Sequence, residues 1–233
     1  MAKKKEHNGP ATHAVSLITL VNPSSPISEQ YRTIRTNIQF ASSADNPIKT
    51  MVITSSGPGE GKSTTSANLA VVFAKAGQRV LLVDADMRKP TVYKTFNLNN
   101  SRGLSTVLST ATSVLEAAQR TVIDNLTILT SGPKPPNPSE LLGSMRMGQV
   151  IEEAKNMYDI VIFDMPPVVA VTDAQIMASK TDGTLLVVRE NVSRKESLVK
   201  AKELLNMVQA RILGAIYNGA EHSNDQGYYY YGN

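Results

Sequence analysis

Thr50-Met-Val-Ile-Thr-Ser-Ser-Gly-Pro-Gly-Glu-Gly-Lys-Ser-Thr64 decides the fold. An apolar run enters a glycine-rich turn, and the Gly-Lys-Ser-Thr end of that turn opens a stretch with helical patterning. Strand, loop and helix in this order are the context a phosphate-binding loop needs. Gly57, Gly59 and Gly61 let backbone N–H groups turn inward around phosphate oxygens, with Glu60 and Thr64 in the same cradle. The positive end of the following helix adds to the attraction. Lys62 is placed to reach the β- and γ-phosphates of ATP, and Ser63 to offer its hydroxyl to Mg2+. The general pattern wants a glycine at position 56, where this chain has Ser56.

Two more apolar runs end in aspartates. Val80-Leu-Leu-Val-Asp84-Ala-Asp86-Met-Arg88-Lys89-Pro90 is one, and Ile160-Val-Ile-Phe-Asp164-Met-Pro-Pro167 is the other. In an open parallel sheet, ligands bind outside the carboxyl ends of the strands. Asp84, Asp86 and Asp164 would meet there beside the loop, and a carboxylate at the end of an apolar strand needs a partner. Magnesium is that partner, held directly or through water by Ser63, Asp86 and Asp164. Asp164 reads as the Walker B residue. Of Asp84 and Asp86, one would position the metal and the other would take a proton from an attacking hydroxyl. Asp84 is the favoured base and Asp86 the alternative. Arg88 and Lys89 read equally well as catalytic cations and as solvated charges.

Further apolar runs at Leu126–Thr130, Thr184–Val188 and Ile212–Tyr217 alternate with helical patterns. The helices are expected over Ile27–Ala41, Lys62–Ala76, Ser105–Ser109, Val114–Gln119, Ser139–Tyr158, Asp173–Ser179 and Arg194–Val208. Short continuous apolar strands between helices predict an α/β fold of the P-loop NTPase type, with a mostly parallel sheet covered by helices on both faces. On the first long helix, Ile27, Tyr31, Ile34, Ile38 and Ala41 form the apolar face. Asn137-Pro-Ser-Glu140 has the look of a helix start. Polar residues 1–25 are expected to be a flexible arm, with Val15–Val21 as a short strand or arm. Residues 26–219 form the domain, and 220–233 a flexible tail that carries Tyr228, Tyr229, Tyr230 and Tyr231.

With 233 residues, 41% of them apolar, the chain can bury a full core. There is no cysteine, which excludes disulfides and thiolate chemistry. The three histidines, His7, His13 and His222, all fall in segments read as tails, so neither a histidine metal cluster nor a serine–histidine triad is expected. Half of the +4 net charge sits in Met1–His7, a short solvated tail rather than a nucleic-acid footprint. No apolar run reaches the ~20 residues that cross a bilayer, and the N-terminus lacks the pattern of a secretory signal. A cytoplasmic protein is expected.

Taken together, these segments resemble the bacterial tyrosine kinases. The Pro-Gly-Glu-Gly-Lys-Ser loop at 58–63, without the first glycine, is similar to theirs. Asp84-x-Asp86-x-Arg88 resembles their Walker A′ motif. Gly132-Pro-Lys-Pro-Pro-Asn-Pro-Ser-Glu-Leu-Leu142, and Asp164-Met-Pro-Pro167 with Thr172-Asp173, match as well. The resemblance covers the chain from about Ser28. It implies direct transfer from Mg-ATP to tyrosine, with autophosphorylation of the C-terminal cluster Tyr228–Tyr231. It also implies a ring-shaped homo-oligomer built through Glu29, Arg32 and Arg35, and an adenine contact at Asn218. A separate kinase of the Gram-positive type is further expected to work with a membrane-embedded activator, a polysaccharide co-polymerase, whose cytoplasmic tail docks on it. The kinase would thus sit at the inner face of the membrane in capsule or exopolysaccharide synthesis. A cognate tyrosine phosphatase and other protein substrates are also implied. Two rivals share the fold: a partitioning-type ATPase, which usually has a lysine where this chain has Gly57, and a nucleotide-binding scaffold without kinase activity. Neither would need four tyrosines at its end.

Overall fold

A computed structural model describes residues 14–220. The chain begins with a helical turn, α1 (Ile18–Val21), and a long helix, α2 (Pro26–Ala41). Then come β1 (Thr50–Ser55), α3 (Lys62–Lys75) and β2 (Val80–Asp84). Three short helices follow, α4 (Val92–Thr95), α5 (Leu104–Ser109) and α6 (Val114–Ala117), and after them β3 (Gln119–Arg120) and β4 (Leu126–Leu129). α7 (Pro138–Gly143) and α8 (Met145–Met157) lead to β5 (Ile160–Asp164). The order closes with α9 (Asp173–Ala178), β6 (Gly183–Arg189), α10 (Lys195–Met207) and β7 (Ile212–Asn218).

The strands form one sheet in the order β3-β4-β2-β5-β1-β6-β7, parallel except for β3. Successive side chains of a strand point to opposite faces, and the core divides accordingly. Leu81, Val83, Val161 and Phe163 face one layer with α5 to α10, while Val80, Leu82, Ile160 and Ile162 face the other with α2 and α3. Both faces are covered, which is why the strands read as unbroken apolar runs. The register sets Asp84 of β2 beside Asp164 of β5, and Ile53 of β1 on the other side of Asp164. The expected mostly parallel α/β sheet is therefore present, and its register delivers the acidic residues to one place.

Several elements differ from expectation for local reasons. The single helix over Ser139–Tyr158 is broken at Ser144, whose extended backbone ends α7 and whose Oγ caps α8 by accepting from the Met147 N–H at 3.2 Å. The helix expected to run to Gln119 stops at Ala117. A Ser113/Glu116 capping box starts it, and Gln119 and Arg120 pair instead with β4, Gln119 opposite Ile128. On α2, Tyr31 and Ile38 are buried as expected, but Ile27 is half exposed and Ser28 is buried in its place. Ser28 Oγ donates to the Asn22 carbonyl at 2.7 Å, which turns the start of α2 inward.

The segment Val15–Val21, expected as a short strand or arm, contains α1. It docks on α3 through Asn68, whose Oδ1 accepts from the Thr19 N–H at 3.1 Å and from the Thr19 hydroxyl at 2.9 Å. The Asn68 amide in turn donates to the Ser16 and Thr64 carbonyls, both at 2.9 Å. Replacing Asn68 with alanine removes the partner of the buried Thr19 N–H and hydroxyl. It should lower unfolding stability by about 1–3 kcal/mol in urea titration. An unchanged midpoint would show that α1 adds nothing to the fold.

Candidate functional site

The carboxyl ends of β1, β2 and β5 and the first turn of α3 converge on one point. Between β1 and α3 the chain makes the expected glycine loop, with Gly59 at φ 76° and Gly61 at φ 97°, values that L side chains rarely adopt. Gly61 is also needed for space, since a Cβ there would lie 2.1 Å from Asn218 Nδ2.

Ser56 takes the place of the usual glycine by bonding inside the loop. Its N–H and hydroxyl donate to the two oxygens of Glu60 at 2.9 and 2.7 Å, and Glu60 is 3% exposed. The Glu60 side chain, expected among the nucleotide contacts, thus serves as an internal brace, and only its backbone remains for a phosphate. Asn218, expected at adenine, donates to the Glu60 carbonyl at 3.1 Å and so ties the end of β7 to the loop. Arg189 does the same from β6, donating to the Gly59 carbonyl at 2.9 Å. Sequence reasoning missed Arg189, which is separated from Gly59 by 130 positions.

Lys62 lies at the base of the loop, its Nζ 3.1 Å from Asp86 Oδ2 and 3.3 Å from Ser63 Oγ. Burial works against its charge, but Asp164 and Asp86 outweigh that and hold its pKa above the ordinary lysine value. Asp86 is fixed on its other oxygen by the Lys89 N–H at 3.0 Å. Asp84 is fully buried, and its Oδ2 accepts from the backbone N–H groups of Thr91 and Val92 at 3.1 and 3.0 Å. Asp164 is fully buried too, and its Oδ1 accepts from Ser66 Oγ at 3.1 Å. Ser66, one turn along α3 from Ser63, is a further site residue that the motif did not announce.

The remaining oxygens, Asp84 Oδ1 and Asp164 Oδ2, are buried without any hydrogen-bond partner. Burial pushes the Asp84 carboxyl well above the usual aspartate range, and the charge of Asp164 pushes it further. Burial also raises Asp164, against the pull of Lys62 and Ser63. The orphaned Asp164 oxygen, beside a phosphate-binding loop, fits a hard cation. Magnesium binds through one or two carboxylates, waters and substrate phosphates. Ser63, Asp86 and Asp164 are the residues that would hold it.

Arg88 has a definite place. Its guanidinium grips Asp173 with two hydrogen bonds at 2.9 and 3.0 Å and reaches Ser139 Oγ at 3.0 Å. It ties the loop after β2 to the starts of α7 and α9. On α2, Glu29 and Arg32 pair with each other at the surface, and Arg32 also donates to the Pro23 carbonyl at 2.7 Å. Arg35 leans inward, 3.4 Å from the Val72 carbonyl, with its Nε buried and unpartnered. Tyr228–Tyr231 and the three histidines lie outside the described residues.

Known proteins share this sequence and geometry. Residues 48–213 match the family model described as an AAA domain. The chain is 52% identical over 217 residues to the tyrosine-protein kinase YwqD of Bacillus subtilis (strain 168), covering 93% of this chain and 91% of that one. It is 42% identical over 231 residues to the putative tyrosine-protein kinase CapB of Staphylococcus aureus, covering 99% and 98%. Among solved structures, the chimerical protein CapA2B2 superposes with a TM-score of 0.82 at 43% identity, covering 89% of this chain and 93% of that one.

The raised Asp84 pKa has a sign that can be checked. Its folded value lies above the ordinary 3.8, so the folded chain holds a proton that the unfolded chain has already lost. Stability from this group is therefore greatest at low pH and falls as pH rises from the unfolded value toward the folded one. In Asp84→Asn no such charge forms. The melting temperature of the nucleotide-free variant should gain on wild type between pH 5 and pH 8. A gap that stays constant or closes across that range would show that the buried carboxyl is not charged against a penalty.

Proposed function

The chain belongs to the bacterial tyrosine-protein kinases, and we propose that it transfers the γ-phosphoryl group of Mg-ATP to its own C-terminal tyrosines, Tyr228–Tyr231. The observation that carries this reading is the pair of buried, half-satisfied aspartates, Asp84 and Asp164, side by side at the carboxyl ends of β2 and β5 and facing the phosphate loop. One of them can serve the metal, and the other is left to act as a base toward an attacking hydroxyl.

Each residue then has a task. The backbone of Gly57, Gly59, Glu60, Gly61, Ser63 and Thr64 cradles phosphate oxygens, and Ser56 with Glu60 keeps that backbone in shape. Lys62 exchanges Asp86 for the β- and γ-phosphates when ATP enters, which releases an Asp86 oxygen. Ser63, Asp86 and Asp164 would hold magnesium, whose positive charge, when bound, would offset the charge that develops on the transferred group. Asp84 is oriented by the Thr91 and Val92 N–H groups. Its free Oδ1 takes the proton of the attacking phenol. An ordinary phenol has a pKa near 10, and a carboxylate made more basic by burial narrows that gap.

The same reading extends to partners. Glu29, Arg32 and Arg35 on α2 serve a ring of copies in which one subunit's tail enters the next subunit's site. Among the described residues, no helix is long and apolar enough to cross a membrane. The chain would reach the inner membrane face by docking on the cytoplasmic tail of a membrane-embedded activator, and would regulate capsule or exopolysaccharide synthesis there. A cognate tyrosine phosphatase would reset it, and other protein substrates would share the site.

The test is incubation with Mg-ATP and an activator tail, followed by mass spectrometry of the C-terminal peptide. Phosphate should appear on Tyr228–Tyr231 and vanish in Lys62→Met. In Asp84→Asn the rate should fall by about 10²- to 10⁴-fold, the usual contribution of a general base, with ATP affinity kept. ATP turnover with unmodified tyrosines would point instead to a partitioning-type ATPase.

A further inference from the structure

We propose that the open edge of β7 is a resting seat for the C-terminal segment of the same chain, which returns along it as an added antiparallel strand with Tyr228–Tyr231 in the grooves on its two faces. β7 ends the sheet, and among the described residues no strand pairs with its outer side. An open edge presents unpaired backbone groups, and proteins shorten it, charge it or cover it. The edge of β7 is neither short nor charged. It runs for seven residues, Ile212–Asn218, with Ala215 exposed and Tyr217 60% exposed.

Both faces of this edge are apolar and open. On one face a groove of about 670 Å³ lies between β7 and α10, lined by Leu186, Val188, Leu198, Val199 and Ala215. On the other a smaller groove of about 160 Å³ lies between β7 and α2, lined by Ile34, Ile38, Leu213 and Ile216. Gly214 and Ala215 border both, so only small side chains separate them.

A strand that covers such an edge must be apolar on both faces. A strand with one face in water alternates apolar and polar residues, whereas one covered on both faces carries an unbroken apolar run. Beyond Ala220 the sequence holds one such run, Tyr228-Tyr-Tyr-Tyr231. As a strand it places two rings on each face, one pair against α10 and the other toward α2. A phenol buries its ring and keeps its hydroxyl at the wet rim. Charge agrees with this placement. Lys202 lines the α10 groove and takes part in no ion pair among the described residues, while the residues leading to the tyrosines include Glu221 and Asp225.

The path of the chain selects its own tail as the occupant. The described residues end at Ala220, just past β7, and Gly219 at φ 74° already turns the backbone there. A reversal about Glu221 and His222 lays Tyr228–Tyr231 alongside Ala215 to Ile212, the stretch that borders the grooves. A segment tethered by so few residues is present at an effective concentration on the order of millimolar, which a free partner would have to exceed. Each phosphate added to a tyrosine brings a charge of about −1.5 to −2, which an apolar groove does not hold. Phosphorylation therefore releases the tail and bares the edge. The release rests on the proposed kinase reading; the seat does not.

Hydrogen exchange on the full-length, phosphatase-treated chain without nucleotide tests the seat. Peptides covering Ile212–Tyr217 should exchange about tenfold more slowly than in the chain with Tyr228–Tyr231 all replaced by alanine, and equally so at low and high protein concentration. Val199→Asp should abolish this protection when the tail is intact and change nothing further in the alanine chain. Equal exchange in the parent and the alanine chain would overturn the seat. Protection that grows with concentration would assign the added strand to a second copy and overturn the same-chain placement. An equal effect of Val199→Asp in both backgrounds would show that the α10 groove does not hold the tail. After incubation with Mg-ATP and an activator tail, the parent should exchange like the alanine chain. Protection retained by a phosphorylated tail would overturn the release. A tail that takes no phosphate would sink the kinase reading and the release with it, and leave the seat standing.

Discussion

Two buried aspartates with one unpaired oxygen each are the constraint around which the structure is arranged. Asp84 and Asp164 lie side by side in register, at the ends of strands whose other side chains are apolar. A carboxylate out of water is strongly unfavourable without a partner. The fold offsets part of that through the N–H groups of Thr91 and Val92, the Ser66 hydroxyl and the ammonium of Lys62. The offset is incomplete by two oxygens. A protein selected for stability alone would place asparagine or an apolar residue there. Buried charges of this kind cluster at functional sites, and the proposed reading supplies their partners: a cation and a group with a proton to give.

The phosphate loop follows the same rule of partners. Without a glycine at position 56, the loop acquires a side chain that must be satisfied, and Glu60 meets it from four residues on. Asn218 and Arg189 then hold the loop's carbonyls from β7 and β6. A loop braced from within and from two strands presents its N–H groups in fixed directions. Preorganised donors of this sort stabilise transferred charge better than groups that must reorient. The bond from Asn218 has a second consequence, because the tail that bears the tyrosines begins just past it.

Much of this was legible in the sequence. The buried parallel strands announce themselves as apolar runs because both sheet faces are covered, and the glycine loop and strand-end aspartates are local patterns. What was not legible depends on groups far apart in the chain or on single side chains. Nothing local shows that Ser144 will break a helical pattern by serving as a cap. The short helix α4 follows a proline and depends on Asp84 for its first N–H groups. The grip of Arg88 on Ser139 and Asp173 spans 51 and 85 positions, so no local pattern announces it. Arg35 fits a triplet by spacing, yet its side chain turns toward α3 and only Glu29 and Arg32 meet at the surface.

The central claim is that the acidic cluster is completed by a metal that comes with the nucleotide. The most direct test is the melting temperature of the wild-type chain with ADP at saturating concentration, in magnesium and in EDTA. Binding that completes the cluster should stabilise the fold by roughly 3 kcal/mol at a hundredfold excess over Kd, and most of that gain should disappear when magnesium is removed. An equal shift with and without magnesium would mean that Asp86 and Asp164 are not waiting for a cation, and the assignment of the site would fail.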